Sequence, residues 1–79
     1  SKKQFEFSTR LDVDYINKTY KLGIIENEFY ETLGGWIVFH TGEIPKEEEE
    51  ILIEKFKVKI LKTTSTKIQK ILLEIIDNY

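Results

Sequence analysis

The stretch Thr32-Leu33-Gly34-Gly35-Trp36-Ile37-Val38-Phe39-His40-Thr41-Gly42-Glu43-Ile44-Pro45 constrains the fold more than any other, because it writes a short helix together with both of its ends. Thr32 is placed to cap the amino end with its hydroxyl. Gly42 can take the left-handed conformation past the last turn, and Pro45 stops any continuation. Leu33, Trp36, Ile37 and His40 follow the i, i+3, i+4, i+7 rhythm of one face, while Val38 and Phe39 carry apolar surface to other directions. A helix apolar on most sides is covered by its own domain or by a neighbour. The paired glycines then need a reason, since each costs roughly 1 kcal/mol relative to alanine in a helix. One reason is close packing of backbone against a sheet or second helix. The other is a bare helix amino terminus that offers N–H groups to an anion. The run holds no Lys or Arg and has Glu31 at its entrance, which weighs toward packing.

With 79 residues the chain reads as one domain, 1–79, near the size at which a single core suffices. Its 41% hydrophobic and 33% charged residues are those of a soluble globular chain rather than a disordered one. No apolar run approaches the roughly 20 residues of a membrane helix, so insertion by this stretch is not expected. A net charge of −2 argues against nucleic acid, which needs a basic face. Lysines 55, 57, 59, 62, 67 and 70 alternate with apolar residues and read as the solvated side of a sheet. The absence of cysteine excludes disulfides, thiolate metal sites and a cysteine nucleophile. The chain opens on Ser1 without methionine, which suggests a segment of a longer protein.

Along the chain, Phe5 and Phe7 alternate with polar residues between Lys2 and Thr9, the pattern of a half-buried strand. A helix follows, with Asp12 as N-cap, Leu11 and Ile16 spaced as a hydrophobic staple, Val13, Ile16 and Tyr20 on one face, and Gly23 closing it. Ile24 to Glu31 reads as a loop with a few apolar anchors. After Pro45, the run Lys46-Glu47-Glu48-Glu49-Glu50 reads as a solvated acidic turn. Neighbouring carboxylates in extended chain point to opposite faces and do not converge on a cation that needs six or more oxygens. Ile51 to Ile53, a tight connection at Glu54-Lys55, and Phe56 to Ile60 form a β-hairpin pattern, and Thr63 to Thr66 a polar turn. Lys67 to Ile76 fits a helix through Ile68, Leu72 and Ile75, or a strand through Ile71, Leu73 and Ile75; periodicity leaves both open.

No catalytic constellation emerges. His40, the one histidine, sits near the end of the central helix, where the dipole favours its cation. A general base there would need a nucleophile and an orienting carboxylate. Trp36 reads as core, with an indole N–H that needs a partner if buried. A solvent-facing Trp36 beside Phe39 would instead mark a docking surface. No metal site is expected.

As a string, Thr32, Leu33, Gly34, Gly35, Gly42, Ile44 and Pro45 resemble the signature of the transporter-associated domain of the CorC/HlyC type, found at the carboxy end of bacterial hemolysin-like and magnesium/cobalt-efflux proteins. The resemblance spans about Phe5 to Ile75. It implies that the last segment is a strand. The order becomes strand, helix, helix, strand, strand, strand, an α+β domain with two helices on one face of a small, mainly antiparallel sheet. It further implies a non-catalytic accessory domain without cofactor, on the cytoplasmic side of the bacterial inner membrane. Its partners would be a CBS pair and the membrane domain of the parent chain, or a second copy of itself. A small-ligand module binding a nucleotide or flavin-like group is the alternative, through fold similarity alone. The chain departs from the usual pattern at Thr41, where a larger apolar residue is common, and at Thr9-Arg10, which replaces an Asp-Gly turn. Two further departures are Glu48 and Lys55, each at a position that is commonly glycine.

Overall fold

Alternation of apolar and charged residues sorts four segments into one sheet with two chemically opposite faces. The computed structural model describes residues 3–76. Its elements are β1 (Lys3–Ser8), α1 (Val13–Tyr20), α2 (Leu33–Thr41), β2 (Glu50–Ile53), β3 (Phe56–Thr63) and β4 (Ile68–Ile75). Lys2, the expected start of the first strand, lies outside the described residues. The strands lie in the order β1-β4-β3-β2, every pair antiparallel. Register sets Phe5 opposite Leu73, Phe7 opposite Ile71, Val58 opposite Leu73, Ile60 opposite Ile71 and Ile53 opposite Phe56. All of these side chains share one face, because the side-chain period of a strand is two. The other face carries Lys57 with Glu50, Lys59 with Glu48 and Lys70 with Glu6, each pair 3.3 Å apart. Such exposed pairs add solubility and little stability.

Both helices cover the apolar face. Val13 and Ile16 from α1 and Leu33, Trp36 and Ile37 from α2 are buried in one cluster with the strand residues. The Trp36 ring meets Phe56 edge-on, with centroids 5.9 Å apart. Each fully buried aliphatic or aromatic side chain contributes roughly 1.5–3 kcal/mol relative to exposure. Leu22, Ile24, Ile53 and Ile68 complete the core. Phe5 and Ile75, expected inside, sit at its margin.

The last segment is a strand, and its ambiguous spacing has a physical cause. Ile60 pairs with Ile71 and Thr63 with Ile68, but between them Lys62 pairs with Lys70, leaving an irregularity in both strands. The interruption shifts the phase of β4. Ile68 and Ile71 therefore both face the core at a three-residue spacing that imitates a helix.

The end of α1 differs from expectation. The residue that closes it is Lys21, left-handed at φ 58° with its N–H on the Asn17 carbonyl, and not Gly23. Gly23 takes φ 79° two residues later, within the bend that sends both Leu22 and Ile24 into the core. The Asn17 side chain brackets that bend, donating to the Ile24 carbonyl and accepting the Ile24 N–H, both at 2.8 Å. Asp12 stands at the N-cap position, yet its side chain makes no capping bond. The Val13 N–H goes to the Glu31 carbonyl at 2.8 Å instead.

Two left-handed residues near the hairpin, Glu48 at φ 72° and Glu54 at φ 56°, carry side chains where glycine is the relaxed choice. The first agrees with the expected glycine position. The second corrects the other by one residue, since Glu54 and not Lys55 holds the positive φ. Glu48→Gly is expected to raise stability by about 0.5 kcal/mol in urea unfolding. Strain of about 1–2 kcal/mol is relieved, against about 0.5–1 kcal/mol of added backbone entropy and one weak exposed ion pair. A loss of stability would show that the position is unstrained.

Candidate functional site

The signature helix is stitched into the protein through its first turn. The Leu33 N–H donates to the Leu11 carbonyl at 2.9 Å and the Gly34 N–H to the Thr9 carbonyl at 3.0 Å. Gly35 N–H donates to Thr32 Oγ1 at 3.1 Å, and Trp36 N–H to the Thr32 carbonyl at 2.9 Å. The first three of these donors are among those a helix start leaves over, and the fourth makes the first regular bond of the helix. All four are satisfied internally, so the turn offers no bare N–H group to an anion. Of the two reasons for the glycine pair, close packing is realised at Gly35, while Gly34 has room for a Cβ at ordinary contact distance. A Cβ on Gly34 would lie 3.4 Å from the Thr9 Cβ and 3.5 Å from the Thr9 carbonyl oxygen; one on Gly35 would lie 3.2 Å from the Tyr30 Cβ. Thr9 is the buried polar residue at this junction. Its Oγ1 donates to the Ile68 carbonyl at 2.5 Å and its N–H to the Gln69 carbonyl at 3.1 Å. Thr9 thereby ties α2 to β4, a role that its sequence position, next to Arg10 in an atypical turn, did not disclose.

At the other end of α2, Gly42 is left-handed at φ 80° and its N–H reaches the Val38 carbonyl at 2.7 Å. Thr41 Oγ1 donates to the Glu43 carbonyl at 2.6 Å, which gives the atypical residue a local purpose. Ile44 packs on the core and Pro45 is buried. Beside the glycine face lies an open cleft of about 530 Å³ whose wall includes Val38, Ile44 and Ile68, with Arg10 and Lys67 also on its lining.

Glu54 is the polar centre that sequence reasoning missed. From the left-handed position of the β2–β3 turn, its carboxylate accepts the Trp36 Nε1–H at 2.9 Å and the Ile25 N–H at 3.1 Å. His40 Nε2 stands 4.0 Å from the same carboxylate. The buried indole demands an acceptor, but the sequence does not reveal which, because the partner lies eighteen residues away on another element. Of the Trp36 and Phe39 pair, Trp36 is fully enclosed and Phe39 is 49% exposed, so Trp36 belongs to the core and only Phe39 reaches the surface. Phe39 stacks on Phe29 at 5.8 Å and lies 5.4 Å from the Tyr30 ring. The Tyr30 hydroxyl donates to the Ile25 carbonyl.

A family model described as the transporter associated domain, CorC_HlyC, matches residues 1–77. The chain belongs to that family. Solved structures carry the same fold. A CorC_HlyC domain from Haemophilus ducreyi is 18% identical, with a TM-score of 0.78 over 99% of this chain and 94% of that one. A region from Neisseria meningitidis MC58, described as associated with an Mg²⁺ and Co²⁺ transporter (CorC), is 15% identical, with a TM-score of 0.82 over 92% and 89%. A transporter associated domain from a CBS domain protein of Porphyromonas gingivalis is 18% identical, with a TM-score of 0.75 over 94% and 90%. No curated protein matches the chain.

In this CorC_HlyC domain the four glutamates of the acidic run each take a separate task. Glu47 accepts the Thr63 N–H at 3.0 Å and Glu49 accepts the Lys46 N–H at 3.0 Å, while Glu48 and Glu50 pair with lysines of β3. Their carboxylates diverge, and among the described residues no group of three His, Asp or Glu is gathered around one point. His40 has Glu54 beside it and meets the Trp36 ring edge-on, at the same junction.

Tyr30 is a titratable group whose ionisation the fold shifts. Burial, then the charges of Glu54 and Glu26, push its phenol above the ordinary tyrosine value. The neutral form is thus favoured in the folded state. Its contribution is fully present below the unfolded value of about 10 and lost as pH rises past it. A Tyr30→Phe variant is expected to lose less stability than the parent across that alkaline interval in thermal unfolding; equal losses would deny the linkage. For the Glu54–Trp36 bond, a double-mutant cycle of Glu54→Ala and Trp36→Phe in urea is expected to give a coupling of about 1–2 kcal/mol. Additive losses would show that the carboxylate does not hold the indole.

Proposed function

We propose that this chain is the non-catalytic regulatory domain of a bacterial membrane transporter of the hemolysin-like or Mg²⁺/Co²⁺ efflux class. In this reading it is a piece of a longer chain, lies on the cytoplasmic side of the inner membrane after a membrane domain and a CBS pair, and acts by contact. The observation that carries the reading is the family match over residues 1–77, alongside relatives described as a CorC-associated region and as a domain of a CBS domain protein. The geometry supports the contact part, because the signature turn spends its donors inside the fold and leaves little for chemistry. A domain of this kind biases a two-state partner only through contacts that differ between the states. No helix among the described residues is long and apolar enough to cross a membrane, and the reading assigns the span to another stretch of the parent chain.

The test is deletion of the domain from the parent transporter in living cells. Tolerance of Mg²⁺ or Co²⁺ should change while the amount of transporter in the membrane stays constant. Unchanged tolerance, or a parent reading frame without apolar segments of about 20 residues, would overturn the reading.

One observation favours the ligand-binding alternative: the cleft beside the glycine face, about 530 Å³, has apolar walls and is lined at Arg10 and Lys67, which have no ion partner among the described residues. Its size falls within the range of about 300–1,000 Å³ typical of small-ligand sites. If ATP or FAD occupied it, a concentration of 100 times Kd would add about 2.7 kcal/mol. The contact reading expects flat melting curves with both, and a dose-dependent rise would favour the alternative.

A further inference from the structure

We propose that the aromatic patch built on Phe29 and Phe39, with the carboxylates around it, is a docking surface for a basic segment of a partner protein that carries an apolar anchor. The proposal rests on the contact role argued above and names both the surface and the chemistry of what it receives.

Phe29 is 70% exposed and Phe39 49%, and their rings stack with an interplanar angle of 9°. Tyr30 abuts Phe39, and Ile25, 61% exposed, adjoins Tyr30 through its carbonyl. Two of the large hydrophobic side chains left on the surface, Phe29 and Phe39, are thus gathered on one α2-and-loop face. Isolated exposed apolar residues are ordinary, whereas a gathered set marks a contact surface. Aromatic side chains in particular supply binding energy at protein interfaces.

The surrounding charge specifies the partner. Residues 22–45 contain no Lys or Arg, yet the loop that carries Phe29 and Tyr30 holds Glu26, Glu28 and Glu31. Glu28 and Glu31 line a shallow recess together with Phe29 and Tyr30. Among the described residues none of these three glutamates is ion-paired, in contrast to Glu6, Glu48 and Glu50, each of which has a lysine at 3.3 Å on the outer sheet face. A cation from a partner would find these carboxylates unpaired and would gain further from lying against aromatic faces. An anionic lipid surface or a nucleic acid would be repelled by the same carboxylates. So would a second copy using this patch symmetrically, since each carboxylate would meet its own kind.

The surface is also preformed. The Phe29 N–H donates to Asn27 Oδ1 at 2.7 Å, Asn17 Nδ2 donates to Glu26 at 3.0 Å, and the Tyr30 hydroxyl is fixed to Ile25. A loop ordered before binding loses less entropy when it docks.

The experiment titrates the isotope-labelled chain with a short amphipathic helical peptide of leucine and lysine, and with a counterpart in which every lysine is glutamate. The lysine peptide should bind and shift the amides of residues 25–31 and 39–40, and the glutamate peptide should not. A Phe29→Ala, Phe39→Ala double variant should weaken binding by about tenfold or more. Glu28→Gln with Glu31→Gln should weaken it too and flatten its dependence on salt. Both pairs are exposed, and the charge pair reads the same surface should the aromatic pair fail to fold. Equal binding of the two peptides, shifts centred on the sheet, Phe-dependent self-association in sedimentation, or Phe-dependent binding to phosphatidylcholine–phosphatidylglycerol vesicles would each overturn the proposal. None of these readouts involves ion transport, so failure here leaves the regulatory reading to its own deletion test.

Discussion

The approach of the α2 first turn to the Thr9–Leu11 segment is the constraint on which the remaining structure depends. Three N–H groups that would otherwise require water, a ligand or a long cap, those of Leu33, Gly34 and Gly35, are satisfied within one turn, two of them by carbonyls of the chain leaving β1. The room is tightest at Gly35, where a Cβ would come within 3.2 Å of the Tyr30 Cβ, while at Gly34 it would only reach ordinary contact with Thr9. Once the approach is made, α2 lies across the sheet with Leu33, Trp36 and Ile37 directed into the core. Thr9 then passes the connection to β4 through the Ile68 and Gln69 carbonyls. The first and last strands are neighbours in the sheet, so one small junction joins both ends of the described chain to the central helix.

A second junction closes the other side. Glu54 holds the Trp36 indole and the Ile25 amide from a strained left-handed turn. A carboxylate accepting two N–H donors forms strong charge-assisted bonds, which accounts for a glutamate persisting where glycine would be relaxed. Between the two junctions, the polar groups of α2 are spent on architecture. What α2 leaves at the surface is Phe39 and His40.

Much of this was legible in the sequence because the relevant signals are local. Thr32, Gly42 and Pro45 delimit α2 where the structure has it, and the alternation in Phe56 to Ile60 gives the inward face of β3 directly. The signals failed where long-range contacts decide. Periodicity could not classify residues 67–76, because paired irregularities in β3 and β4 shift the phase and bring Ile68 and Ile71 to one face. The end of α1 was assigned to Gly23 because glycine is the usual left-handed residue, yet Lys21 takes that conformation while Asn17 fastens the following bend. Glu54 read as a plain turn residue, since nothing nearby in sequence announces that it meets a tryptophan. The exposed Phe29 was likewise hidden in a loop whose spacing carries no period.

Native-state hydrogen exchange at Leu33, Gly34, Gly35 and Trp36 tests the central claim most directly, because protection of individual amides reports whether a helix start is sealed or open. If the turn is locked onto Thr9, Leu11 and Thr32, these amides should exchange only through global unfolding, as slowly as those of the central strands. Fast exchange through local opening, or movement of these resonances on addition of inorganic phosphate, would mean that the glycine turn is an exposed anion site and not a packing junction.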